Sequence, residues 1–147
     1  MEIRTDPGSC RRSADTLVDN WSFGRQCAHD WVITHTLQKS SLHRANPDPA
    51  LPLADAESYK ISYAKEVCER RGIAFQPLAA DSFGGFGCEA ERAISKVSRE
   101  AQLLRGSDVL PATHLRQRLQ MSILKGLARQ LLRRLTYGEA VDSVTNI

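Results

Sequence analysis

Residues 13–35 read SADTLVDNWSFGRQCAHDWVITH, and how this stretch folds decides the rest. Two β-prone runs, TLV and WVIT, flank NWSFGR, whose Asn, Ser and Gly are turn formers, so the stretch predicts a β-hairpin. Each strand nevertheless carries an aspartate, which strands disfavour and which is costly to bury unless paired, hydrogen-bonded or bound to metal. With the hairpin centred between Ser22 and Phe23, Asp15 falls directly opposite Asp30 on one face, the Cβ atoms about 5 Å apart. Two like charges that close repel each other. Either the hairpin is exposed and both are solvated, or they share a divalent cation.

Downstream of the hairpin, KSSLHRANPDPALPL (39–53) contains three prolines and predicts a long loop. ADAESYKISYAKEVCERRG then predicts a helix, with Asp55 as N-cap, an apolar stripe through Tyr59, Tyr63 and Val67, and Gly72 just past its end. IAFQPLAAD predicts a strand returning to the sheet, giving the order strand, strand, helix, strand. FGGFG is a turn. CEAERAISKVSREAQLL is helical, with Ile94, Val97, Ala101 and Leu104 at spacings of three and four. After the break RGSDVLP, a last helix is expected from about Ala112 to Leu135, with Leu115, Leu119, Ile123, Leu127, Leu131 and Leu135 in register. Residues 1–135 are thus expected to form one α/β domain, and 136–147 a flexible tail.

The chain of 147 residues, 41% hydrophobic and 25% charged, suits one domain with a core. No apolar run reaches the roughly 18 residues of a membrane span, and MEIRTDPGSC lacks a secretory pattern, so an intracellular location and no membrane partner are expected. Cys10, Cys27, Cys68 and Cys88 form no CxxC pair and read as reduced thiols. The net charge is only +3, but between His114 and Arg134 lie Arg116, Arg118, Lys125, Arg129, Arg133 and Arg134 with no acidic residue. Such a face either meets the phosphates of a nucleic acid or is the solvated side of a surface helix.

Facing aspartates on a hairpin, a helix bearing Lys60 and a parallel-returning strand resemble the PD-(D/E)xK nucleases, the restriction-endonuclease-like fold, and most closely the endonuclease domain of site-specific non-LTR retrotransposons and related retroelement proteins. The matching residues are RRSAD ending at Asp15, DWVITHTL beginning at Asp30, and AESYKISY with Lys60 and, one turn later, Tyr63. The pattern continues through CERRGIAFQPLAADSFGGFG, where Asp81 stands at a position usually held by Glu. Ser13 replaces the usual Pro. Val32 occupies the standard lysine position, so catalysis would depend on the displaced Lys60. The family's first core helix is expected to be missing, because only MEIRT precedes.

The resemblance implies a mixed sheet with flanking helices and a C-terminal helical pair. It also implies a Mg²⁺- or Mn²⁺-dependent DNA endonuclease, nuclear if eukaryotic, working with other domains of a retroelement polyprotein. Asp15 and Asp30 would be the metal ligands, and Lys60 would orient the attacking water or oppose the phosphorane charge. The alternative is an inactive relic that binds nucleic acid or a protein, with Arg116, Arg118, Lys125 and Arg129 as contacts. Taken alone, Lys60 reads first as an ordinary surface lysine paired with Glu57 or Glu66. Glu57, one turn before Lys60, would touch the metal or only the lysine. Asp81 is either an auxiliary acceptor near the substrate or the cap of the next turn. The glycines of FGGFG serve conformational freedom, because Glu89 and Glu91 would repel a phosphate from the following helix. Trp21 and Phe23 either stack on bases or fold back over the sheet. Cys27, His29, His35 and His43 have no zinc-ligand spacing.

Overall fold

A computed structural model describes residues 14–45, 47–106 and 112–142. The MEIRT segment, Cys10, Ser13, most of RGSDVLP and the last five residues lie outside the described part.

The hairpin is formed by β1 (Thr16–Ser22) and β2 (Arg25–Thr34), paired antiparallel. Thr16 faces His29, Leu17 faces Ala28 and Val18 faces Cys27, which is the register expected from the sequence. The tip differs. Ser22 faces Arg25, so Phe23 and Gly24 make the turn, both with positive φ (50° and 77°), as a type I′ turn requires. A bulge absorbs the difference: β1 takes four steps from Val18 to Ser22 while β2 takes two, and Asn20 adopts φ 53°. The Asn20 Oδ1 accepts the Gly24 N–H at 3.0 Å and ties bulge to turn.

The predicted loop at 39–53 is instead largely helical. A short helix α1 spans Lys39–Ala45, and α2 begins at Leu51, well before the expected Asp55 cap, and runs to Glu69. Pro52 does not break α2, since it sits in the first turn, where the missing N–H would have had no partner. The far end is as expected. Gly72 (φ 70°) donates to Glu69 O, and Ile73 donates to Cys68 O, a Schellman ending sealed by contact between Ile73 and Cys68.

Helix α2 is the crossover to β3 (Ala74–Asp81), which pairs parallel to β2 from Cys27↔Ala74 to Thr34↔Asp81. The sheet order is β1-β2-β3. On one face Ala28, Cys68 and Ile73 pack with Leu17 and Phe75, beneath α2. On the other, Leu78, Ala90 and Ala93 pack with Trp21, Trp31 and Phe86, beneath α3 (Cys88–Arg105). The architecture is therefore α/β, a three-stranded mixed sheet between helical layers.

Two expected stripes turn out differently. The inward face of α2 is Leu53, Glu57, Ala64 and Cys68, with Lys60 between them, whereas Tyr59 is 65% exposed and Tyr63 and Val67 are half-buried. Apolar identity misled here, because the fold supplies partners for two inward charges. On α3 the buried residues are Ala90, Ala93, Ile94 and Ser98, while Val97 and Leu104 are exposed. Small side chains let this helix lie close against the sheet. Helix α4 (Ala112–Asp142) continues past Leu135 through most of the expected tail. Among the described residues no helix is long and apolar enough to cross a membrane.

Candidate active site

Strand alternation puts Asp30 on the same face as Ala28, beneath α2, where it is 5% exposed. Asp15 stands immediately before β1 and grips the two neighbours of Asp30. Its N–H donates to His29 O at 2.9 Å, and its Oδ2 accepts the Trp31 N–H at 2.9 Å. An aspartate is useful at this strand end because its side chain completes a ladder bond that the backbone leaves open. From the layer above, Lys60 on α2 brings its Nζ to 2.8 Å from Asp30 Oδ2.

Burial pushes the Asp30 carboxyl above the usual carboxylate range; Lys60 opposes that shift, and the charge of Asp15 with a hydrogen bond shared between the two carboxyls adds to it. Two carboxyls forced together relieve their repulsion by holding a proton, and a divalent cation would relieve it in the same way. Asp15 and Asp30 offer hard oxygen donors, which suit Mg²⁺ or Mn²⁺. Among the described residues no group of three or more His, Cys, Asp and Glu side chains is placed to hold a metal. Mg²⁺ is commonly held by only one or two carboxylates with waters and substrate phosphate completing its shell, so the pair fits that ion.

The auxiliary residues divide. Glu57 lies on the inward face of α2, but its Oε1 accepts the Glu89 N–H at 3.1 Å, in the first turn of α3. Tyr63 follows Lys60 by one turn, and its buried hydroxyl has no hydrogen-bond partner among the described residues. Asp81 is a turn cap: its Oδ1 accepts the N–H groups of Phe83 and Gly85, each at 2.8 Å. A Cβ at Gly85 would stand 2.9 Å from Asp81 Oδ2, so a larger residue there would displace the capping carboxylate. The hairpin aromatics separate as well. Trp21 folds back, edge-on to His29 with centroids 4.4 Å apart and with Lys96 Nζ 5.3 Å from its ring centre, while Phe23 is fully exposed.

The basic helix lies elsewhere. Arg116 makes a two-pronged ion pair with Glu91, and Gln120 Nε2 donates to Gly84 O at 2.7 Å, which fastens α4 to α3 and its preceding loop. Arg116 therefore serves packing, and Arg118, Lys125 and Arg129 remain as an exposed row. That row is on α4, which is fastened to α3 and the loop before it, whereas Asp30 and Lys60 meet beneath α2. Sequence reasoning missed the Trp31 N–H and the start of α3 as partners. The one available signal was Gly87, a helix-start glycine with no side chain to cap the helix itself.

Comparison with protein-family models, with curated proteins and with solved structures finds no match to this chain. The functional reading therefore rests on the geometry and on the sequence resemblance.

Proposed function

We propose that the chain is a metal-dependent DNA endonuclease domain of the restriction-endonuclease-like type, related to those of retroelements. The observation that carries the reading is the meeting of Asp15, Asp30 and Lys60, from three separate segments, on one face of the sheet. The hairpin followed by a helical crossover to a parallel strand agrees with that fold.

In this reading Asp15 and Asp30 hold Mg²⁺ or Mn²⁺, which when bound would neutralise phosphate charge and lower the pKa of a water. Asp15 is exposed and Asp30 buried, so the pair presents one open side toward solvent. Lys60 keeps its ammonium beside Asp30, where it can orient the attacking water and oppose negative charge gathering on the phosphoryl oxygens. Water forms the new P–O bond, and the bond to the sugar oxygen breaks in line, leaving a nick.

A second reading, a nucleic-acid-binding domain without catalysis, is favoured by one observation: the exposed row Arg118, Lys125 and Arg129 is on α4, a helix fastened to α3 and separate from the elements that carry the carboxylates. The deciding experiment is plasmid nicking with Mg²⁺ or Mn²⁺ by the natural chain, Asp30→Ala and Lys60→Ala. Nicking lost in both variants supports catalysis. Absence of metal-dependent nicking, or equal nicking by the variants, removes it, and DNA binding unchanged in Asp30→Ala would then leave the second reading.

A further inference from the structure

The inward face of α2 carries two charges one turn apart, and only one of them reaches the carboxylate pair. Lys60 has a long, flexible side chain, so its placement over Asp30 depends on how firmly its helical turn is held. Glu57, three residues earlier on the same face, is 6% exposed. Its carboxylate leaves α2 and accepts the Glu89 N–H at 3.1 Å, at the positive end of α3.

Gly87 makes the approach possible. A Cβ at that position would stand 2.2 Å from Glu57 Oε1 and 2.7 Å from its carboxyl carbon. The backbone there (φ −69°, ψ 165°) is one that any residue adopts, so the requirement for glycine is one of space, chiefly for the carboxylate and also for the Ala79 Cβ, 3.3 Å from the same point. Gly87 itself offers no side chain to the helix it starts, and Glu57 caps that helix from another element. The result is a clasp that pins α2 to α3 across the end of β3, one turn from Lys60.

We infer that Glu57 is a positioning residue, holding Lys60 over Asp30 by clasping the start of α3 through the gap left by Gly87. The effect on turnover rests on the nuclease reading, while the effect on the ion pair does not. A displacement of about 1 Å at a reacting group can cost on the order of a hundredfold in rate, so a loosened clasp acts on chemistry more than on binding.

Glu57→Ala, Glu57→Gln and Gly87→Ala in the full chain test this, read by the NMR signal of the Lys60 ammonium, by Mn²⁺ titration calorimetry and by nicking kinetics. Glu57→Ala and Gly87→Ala should each lose the exchange-protected Lys60 signal and lower kcat by tenfold or more, on the order allowed by such misplacement. KM and Mn²⁺ affinity should stay within about twofold, since neither residue holds metal or substrate. Glu57→Gln, which keeps an acceptor for the Glu89 N–H, should restore both signal and kcat, and the double variant should be no worse than either single one. Loss of Mn²⁺ affinity in both Glu57 variants would make Glu57 a ligand and overturn the inference. So would a Lys60 signal that survives Gly87→Ala, a measurement that stands even if Glu57→Ala does not fold. If the natural chain nicks nothing, the nuclease reading falls and the Lys60 signal alone decides the clasp.

Discussion

Lys60 Nζ meets Asp30 Oδ2 at 2.8 Å between α2 and β2, with the lysine side chain 22% and the aspartate side chain 8% exposed. Removing one member of such a pair leaves the other's charge poorly solvated. Because Lys60 keeps some water, Lys60→Met should cost about 1–3 kcal/mol, less than a fully buried pair. The double variant Asp30→Asn/Lys60→Met should lose less than the sum of the singles. Denaturant unfolding of the four proteins measures this, and additivity within about 0.5 kcal/mol would show that the pair is not coupled.

Asp15 combines a structural bond with a charge, and the two can be separated. Asp15→Asn keeps an oxygen for the Trp31 N–H, so its melting temperature without metal should stay close to that of the natural chain. Asp15→Ala leaves that N–H unpaired and should cost about 1 kcal/mol. Both should lose any rise in melting temperature produced by Mn²⁺. A full rise in Asp15→Asn would exclude Asp15 as a ligand.

The pH dependence of stability should carry the mark of Glu57. Burial raises its carboxyl above the ordinary 4.5, the N–H groups at the start of α3 work against that shift, and the charge of Glu89 adds to it. The folded chain therefore holds this proton more tightly than the unfolded chain. The stability that Glu57 contributes is fully present below about pH 4.5 and is lost as pH rises through its raised value. Glu57→Gln does not titrate, so its stability relative to the natural chain should climb between pH 4.5 and neutrality. Denaturation series at pH 4, 5.5 and 7 would reveal a flat difference if the carboxyl is not raised.

If α4 meets DNA, the charges that matter are Arg118, Lys125 and Arg129. Replacing all three by Gln should lower the slope of log affinity against log salt by about 2–3, at roughly 0.9 per phosphate contact. Arg116→Gln should leave the slope unchanged and instead loosen α4, since Glu91 already engages its guanidinium. Binding measured across a salt series distinguishes the two, and a drop in slope for Arg116→Gln would reverse the assignment.

Thiol reactivity should follow burial. The Cys27 thiol is pushed up to about 11, chiefly by burial and further by Cys68, and Cys68 is raised in the same direction. Cys88, exposed at the start of α3, should be alkylated in the native protein while Cys27 and Cys68 wait for unfolding. Peptide mapping after a short alkylation pulse reads this directly.

The pairing of Asp15 with Asp30 was legible because alternation and turn residues constrain a hairpin within a few positions of chain. Even the shifted turn at Phe23–Gly24 left it intact, since the bulge at Asn20 restored the register below. Gly72 was legible for a similar reason: a left-handed residue at a helix end is a local requirement. The start of α2 was not, because Pro52 signals a break or a first turn equally well and neighbouring structure chooses between them.

By itself, then, the sequence determined the hairpin register, the strand–strand–helix–strand order and the candidacy of Asp15, Asp30 and Lys60. Only the tertiary structure decided that Lys60 reaches Asp30, that Glu57 turns to the start of α3, and that Arg116 is held by Glu91. The reason is physical. Local patterns set backbone conformation within a few residues, whereas a charge faces inward only where a distant segment provides its partner. That partner is supplied by packing and cannot be read from the charge's own neighbours.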